Sequence, residues 1–95
     1  MIRHIVLWRL KADALGRFAE IGAALQGQVG RVPGLQRVEV GRNFGTGRRA
    51  VDFALCCDFE SRAALAAYHR HPVHLETRAI VDPFIAEHWI VDYEV

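Results

Sequence analysis

The segment from Tyr68 to His74 (Tyr-His-Arg-His-Pro-Val-His) places one phenol and three imidazoles within seven residues, beside a proline that interrupts a helix. Imidazole is the side chain whose unperturbed pKa lies nearest to physiological pH, so it can take up or release a proton there. A tyrosine hydroxyl can donate or accept a hydrogen bond beside it. A fourth histidine, His4, lies in the first apolar run. If the fold brings His4 near this segment, the chain has the parts of a proton-transfer site.

Tyr68 and His74 form the pair to which we assign catalysis, with His4 as a third catalytic residue. If Pro72 opens a short helix, His74 lies near its N-terminus, where the partial positive charge favours a neutral imidazole. A neutral imidazole can take a proton from a carbon next to a carbonyl group. The Tyr68 hydroxyl can then stabilise the developing enolate oxygen. This chemistry needs neither a metal nor a cofactor, and the sequence predicts none. The alternative is that helix-end histidines only hydrogen-bond terminal carbonyl groups.

The surroundings of these residues suit a mostly apolar ligand with a few polar groups. His4 shares its strand parity with Val6 and Trp8, so all three line the same cavity if that parity faces the helices. For His71 the alternative is a structural hydrogen bond at the helix break, and for Trp8 it is a place in the core. The predicted substrate contacts are Val6, Trp8, His71 and Phe53.

The histidines at positions 69, 71 and 74 also suggest a metal site, but their spacing is not the i, i+4 pair of a helical zinc site. No carboxylate or thiol is placed beside them by the sequence, so no metal ligand is predicted. We expect His69 to point into solvent and His88 to lie at the surface or on a sheet edge. The segment Gly45–Arg49 lacks the helix that follows a phosphate-binding loop and is interpreted as a hairpin loop.

Composition limits the function further. The 95 residues predict a single domain over positions 1–95. The net charge is +1, so the chain has no strong field of one sign, which argues against nucleic acid and anionic membranes as partners. The sequence has no signal-peptide pattern and no apolar run of about 20 residues. Cys56 and Cys57 are neighbours in a predicted strand and point to opposite faces, so they are expected to be reduced thiols in a cytoplasmic protein.

Hydrophobic periodicity predicts the order β-α-β-β-α-β, an α+β ferredoxin-like fold with a four-stranded antiparallel sheet. Asp13 is expected to cap the first helix, and Ser61 the second. Pro72 disfavours helix at His71 and starts a further short helix. The predicted strands are 2–10, 35–42, 51–59 and 88–94, and the predicted helices are 13–29, 62–70 and 73–80.

The predicted sheet is apolar on both faces. In the first strand Val6, Trp8 and Leu10 share one parity, while Ile5 and Leu7 share the other. The helices cover only one face of such a sheet, and a large exposed apolar surface needs a partner. Apolar residues make up 52% of the chain, more than a small monomer buries easily. The sequence therefore predicts a homodimer through the sheet face, which gives a dimeric α+β barrel.

Several short motifs occur across the whole chain in a characteristic order. They are Ile2–Trp8, Val32–Leu35, Glu39–Asn43, Asp58–Ser61, Ala67-Tyr68 with His71–His74, and Val91-Asp92-Tyr93. With them the chain resembles the stress-responsive A/B barrel (Dabb) family, and this resemblance also implies a dimeric barrel. A plant polyketide cyclase of that family closes its substrate by an intramolecular aldol condensation.

The resemblance to that cyclase assigns roles to particular residues here. Its catalytic Tyr and His match Tyr68 and His74, and a pocket-forming His matches His4. A further histidine in its third strand has no equivalent, and Phe53 stands near that position.

Three functions are compatible with the sequence. The first is a cofactor-independent cyclase, aldol-type lyase or isomerase acting on a small, polyketide-like carbonyl compound through Tyr68, His74 and His4. The second is a non-catalytic stress-responsive dimer that binds a small apolar ligand with the same residues. The third, taken from related dimeric barrels, is a haem-using or cofactor-free monooxygenase, for which His74 would have to stand beside an open apolar cleft.

Overall fold

A computed structural model describes all residues 1–95 and shows a four-stranded antiparallel sheet with its helices on one face. The strand order is β2-β3-β1-β4, which is the ferredoxin-like arrangement that the sequence predicts. No helix is long and apolar enough to cross a membrane. The strands are β1 (Ile2–Leu10), β2 (Leu35–Arg42), β3 (Phe53–Phe59) and β4 (Ile85–Glu94), and the helices are α1 (Phe18–Gln26), α2 (Arg62–Tyr68) and α3 (Pro72–Val81).

The first helix differs from the prediction of 13–29. Residues Ala12–Arg17 form a 3₁₀ helix, and the α-helix covers only Phe18–Gln26. Asp13 does not cap it, since the residue before the 3₁₀ helix is Lys11 and makes no side-chain capping bond. The chain turns away after Gln26 and reaches a left-handed conformation at Gly30, with φ of 83°. Glycine favours such an ending, so the predicted last turn does not form.

The second and third helices begin at capping side chains. Ser61 Oγ accepts a hydrogen bond from the Ala64 backbone N–H at 3.1 Å, as predicted. Pro72 is the first residue of α3, where its missing N–H has no cost. The Val73 backbone N–H donates to His71 Nδ1 at 3.1 Å, so His71 is the N-terminal cap of α3. These caps fix the helix break between α2 and α3.

One face of the sheet carries the core. Alternate residues of β1, from Ile2 through His4, Val6 and Trp8 to Leu10, are buried against the helices, which confirms the predicted parity. The turn before β2 is held close to α2, since a Cβ built on Gly34 would lie 2.5 Å from the Ala64 Cβ. The largest buried side chains around this core are Tyr68, Phe53, Phe59, Ile21, Leu55, Gln28 and Cys57.

The opposite face of the sheet has no helix over it, and we call it the bare face. The pairing of β1 with β4 places Leu7 beside Trp89 and Ile5 beside Val91 on this face. Leu7, Trp89 and Val91 are 39%, 45% and 53% exposed. The prediction of a second apolar face is therefore confirmed.

Candidate functional site

A cavity of about 160 Å³ lies between the sheet and the helices. Its rim includes Ile90 and His88 of the edge strand β4, which are exposed, so the cavity opens on that side. Five of the seven predicted site residues line it, and they come from β1, α2 and α3: His4, Val6, Trp8, Tyr68 and His74. The fold thus brings the phenol, two imidazoles and an apolar wall together.

Two predicted substrate contacts lie outside the lining of this cavity. His71 uses its ring nitrogen to cap α3, which is the structural alternative left open for it. Phe53 is 1% exposed and stacks on Trp8 with ring centroids 4.7 Å apart. It pairs with Trp8 toward the end of β1 that is remote from His4, and it also meets the Phe18 ring at 5.6 Å. Phe53 is therefore a core residue in this structure.

Tyr68 and His74 are in direct contact, with ring centroids 3.9 Å apart. Tyr68 is the last residue of α2, and His74 lies in the first turn of α3. The break capped by His71 turns the chain so that both rings face the same space. The two side chains do not bond to each other directly; they share a third residue, Gln28.

Gln28 and Asp92 are site residues that sequence reasoning missed, and Gln28 lies beside Tyr68 and His74. It is fully buried, and its Oε1 lies 3.2 Å from the Tyr68 hydroxyl and 3.3 Å from His74 Nδ1. Its Nε2 donates to the Leu25 carbonyl oxygen at 3.1 Å. The available signal was its position three residues after Leu25, on the same side of the predicted first helix. Val29, the last residue of that predicted helix, is exposed.

Burial sets the protonation states of the pair. It lowers the pKa of His74 from 6.5 to about 4, with smaller contributions from His69 and Arg78. Burial also raises the pKa of Tyr68 above its ordinary value. At neutral pH the imidazole is therefore neutral and the phenol is protonated. The sequence predicts the neutral imidazole from the helix N-terminus, whereas in the structure desolvation is the main cause.

His4, which lines the cavity, forms a dyad with Asp92 of β4. Its Nδ1 is hydrogen-bonded to Asp92 Oδ1, which β4 places directly opposite. A carboxylate bound to one ring nitrogen fixes the orientation of the ring and leaves the other nitrogen for a ligand. The His4 ring lies 6.3 Å from that of Tyr68. His4 is thus close enough to contact the same small ligand.

His69 and His88 also line the cavity, and both are exposed to solvent, as the sequence predicts. The His69 ring is 5.9 Å from His4 and 6.1 Å from His74. No group of three or more His, Cys, Asp or Glu side chains is arranged to hold a metal ion.

Cys57 is a buried, free thiol beneath the site. Desolvation raises its pKa to about 12, so it is a poor nucleophile.

The sequence matches the family model of the stress responsive A/B barrel domain over residues 2–95. The chain belongs to this family. The match confirms the resemblance drawn from the short motifs and covers nearly every residue. No curated protein is significantly similar to the chain in sequence.

Solved structures of similar proteins have the same fold. A dimeric ferredoxin-like protein from Thermobifida fusca is 27% identical, with a TM-score of 0.85 over 99% of this chain and 90% of that one. A dimeric protein of ferredoxin-like fold from Bacteroides fragilis is 25% identical, with a TM-score of 0.86 over 99% and 95%. A hydroxynitrile lyase from Passiflora edulis is 22% identical, with a TM-score of 0.84 over 97% and 90%.

Proposed function

We propose that this A/B barrel protein binds a small, mostly apolar carbonyl compound in the cavity and transfers a proton on it without a cofactor. The reaction classes are cyclisation, aldol-type cleavage and isomerisation. One observation carries the proposal: Tyr68 and His74, which both bond to the buried Gln28 Oε1, line the same cavity as His4.

The protonation states define a role for each residue. His74 is neutral, so its free Nε2 takes a proton from the carbon next to the substrate carbonyl, and the C–H electron pair becomes an enolate. The single hydroxyl hydrogen of Tyr68, which donates to Gln28 Oε1 in the free protein, turns to the enolate oxygen when substrate is bound. The imidazolium then returns the proton to carbon in an isomerisation, or to the new alkoxide in an aldol addition. His4, oriented by Asp92, contacts the second polar group of the substrate.

The basicity of His74 narrows the substrate class. An imidazole with a pKa of about 4 is a weak base, and proton transfer to it is efficient only from an acidic C–H bond. A carbon between two carbonyl groups meets this condition, as in a polyketide-like 1,3-dicarbonyl compound. The cavity volume of about 160 Å³ also favours a small ligand, because pockets that bind drug-sized ligands have volumes of roughly 300–1,000 Å³.

The protein is proposed to act as a homodimer through the bare face. Two structures with the same fold, 25% and 27% identical to this chain, are dimeric. The bare face presents Leu7, Trp89, Val91 and Tyr93, each more than a third exposed in the protomer. Arg3 and Arg37 both bind Asp58 at 2.9 Å nearby, so charged groups border the apolar surface. An apolar centre with a polar rim is the usual arrangement of a protein interface.

A non-catalytic binding dimer is the second candidate, and a specific observation favours it. The Tyr68 hydroxyl and His74 Nδ1 already have a protein partner in Gln28, and no buried side-chain nitrogen or oxygen lacks one. Such a hydrogen-bond network can make the core rigid and uniquely packed without taking part in a reaction.

Deuterium exchange separates the two candidates. Pentane-2,4-dione and larger 1,3-diketones are incubated with the protein in D₂O, and incorporation at the central carbon is followed by NMR. We expect the protein to accelerate exchange of at least one diketone above buffer, and His74→Ala and Tyr68→Phe to abolish the acceleration. The exposed Arg48→Ala is the matched control and should behave as wild type. Diketones that raise the melting temperature while exchange stays at the buffer rate would favour the binding dimer.

A further inference from the structure

We infer that Gln28 is a positioning residue that holds His74 in the Nδ1–H tautomer, so that Nε2 is the nitrogen presented to a ligand. The inference concerns the site of the proposed function and deepens it. Its test requires no turnover, because the tautomer of an imidazole can be observed directly.

The orientation of the Gln28 amide follows from its partners. A carboxamide has one face that donates and one that accepts, and a backbone carbonyl oxygen can only accept. The group that lies 3.1 Å from the Leu25 carbonyl oxygen must therefore be the Nε2 amine. The reversed amide would put two acceptors against each other in a fully buried site, where water cannot separate them. Oε1 is consequently the atom that faces Tyr68 and His74.

The tautomer of His74 follows from the amide. Oε1 is an acceptor with two lone pairs, and two ring groups approach it: the Tyr68 hydroxyl at 3.2 Å and His74 Nδ1 at 3.3 Å. A neutral imidazole carries one N–H. If this hydrogen were on Nε2, the Nδ1 lone pair would face the lone pairs of Oε1. The hydrogen is therefore on Nδ1, and Nε2 carries the free lone pair.

The neutral amide has a different effect from a carboxylate at the same position. A carboxylate fixes the tautomer and also stabilises the charged imidazolium, which raises the basicity of the ring. Gln28 fixes the tautomer without adding negative charge, so the desolvated His74 stays neutral. His4, in the same cavity, is bound through Nδ1 to the Asp92 carboxylate. The cavity thus contains two imidazoles that are both anchored through Nδ1, one by an amide and one by a carboxylate.

Long-range ¹H–¹⁵N correlation spectra of the ¹⁵N-labelled protein at pH 7 test the inference. His74→Ala identifies the signals of His74 by their loss. We expect a pyrrole-like Nδ1 and a pyridine-like Nε2 in the wild type. Gln28→Met removes the acceptor and should move His74 toward the Nε2–H tautomer that predominates in free histidine. Gln26→Met is the matched control, since Gln26 is an exposed glutamine two residues before Gln28, and it should leave the pattern unchanged.

A second variant keeps the test decisive if Gln28→Met does not fold. Gln28→Glu retains an acceptor of the same reach, so His74 should keep Nδ1–H while its pKa rises. A pyridine-like Nδ1 in the wild type would overturn the inference, as would an unchanged pattern in folded Gln28→Met or an unchanged pKa of His74 in folded Gln28→Glu with an ionised carboxylate. The wild type could show the Nδ1–H tautomer of His74 and yet fail to accelerate deuterium exchange of any diketone. That result would support the inference and count against the proposed reaction, so failure of one is distinguishable from failure of the other.

Discussion

His4 and Asp92 face each other across the β1–β4 pairing, although 88 positions separate them in the chain. The ring is buried, and the carboxylate lies on the edge strand with a side chain that is 39% exposed. The imidazole of the dyad thus belongs to the core, while the carboxylate is partly exposed to solvent. His4 therefore depends on an edge strand for its orientation.

We expect Asp92→Asn to slow the proposed proton transfer by roughly 10- to 100-fold, the usual effect of removing a group that orients a functional imidazole. The measurement is the diketone exchange rate, with substrate affinity followed separately by titration. Glu94→Gln is the control, since Glu94 lies on the same strand and pairs with Arg62 at the surface. An Asp92→Asn protein with the exchange rate of the wild type would show that the Asp92 carboxylate contributes nothing to the reaction through His4.

The depressed pKa of His74 predicts an acid-dependent loss of stability. The ring titrates near 6.5 when unfolded and near 4 when folded, so the unfolded state binds the proton more readily between these values. The contribution of the neutral ring is therefore complete above about pH 6.5 and is lost as the pH falls toward about 4. Urea unfolding at several pH values measures it. The stability difference between the wild type and His74→Gln should shrink over this interval, and a constant difference would contradict the assigned shift.

We expect Phe59→Ala to lower the free energy of unfolding by about 3–5 kcal/mol, the usual cost of removing a buried phenyl ring. Phe59 is 0% exposed and its ring lies 4.9 Å from that of Tyr68, so the change also opens a void beneath the candidate site. Phe44→Ala is the control, since the Phe44 side chain projects fully into solvent and should change stability by no more than about 0.5 kcal/mol. Chemical denaturation of both variants gives the comparison. An equal loss of unfolding free energy in Phe59→Ala and Phe44→Ala would show that Phe59 is not a core residue.

The proposed dimer predicts that substitutions of two exposed leucines differ in their effect on dimerisation. Leu7 is 39% exposed on the bare face, and Leu75 is 49% exposed on α3. Leu7→Asp would bury an unpaired carboxylate in the interface and should yield monomers or aggregates, because such burial is costly. Leu75→Asp should leave the dimer intact. Sedimentation velocity distinguishes them, and a Leu7→Asp dimer as tight as the wild type would exclude the bare face as the interface.

The sequence by itself determined the order of the helices and strands, the family, and the part of the site that neighbouring residues form. Alternating apolar residues fix the faces of β1, since neighbouring side chains in a strand point in opposite directions. Tyr68 and His74 lie on either side of Pro72, and this short break brings their rings together, although Gln28 completes their hydrogen bonds. These features depend on short stretches of chain, which is why local patterns reveal them.

The tertiary structure alone decided which distant residues complete the site. Gln28 reaches Tyr68 and His74 across 40 and 46 positions, and Asp92 meets His4 only through the register of β4. Phe53 and His71 do not line the cavity as predicted, because Phe53 packs on Trp8 and His71 caps α3. His69 lines the cavity although it was not predicted to do so. Such placements result from helix packing and strand register, which no local residue pattern specifies. The partners that set tautomer, orientation and pKa therefore became visible only in the folded chain.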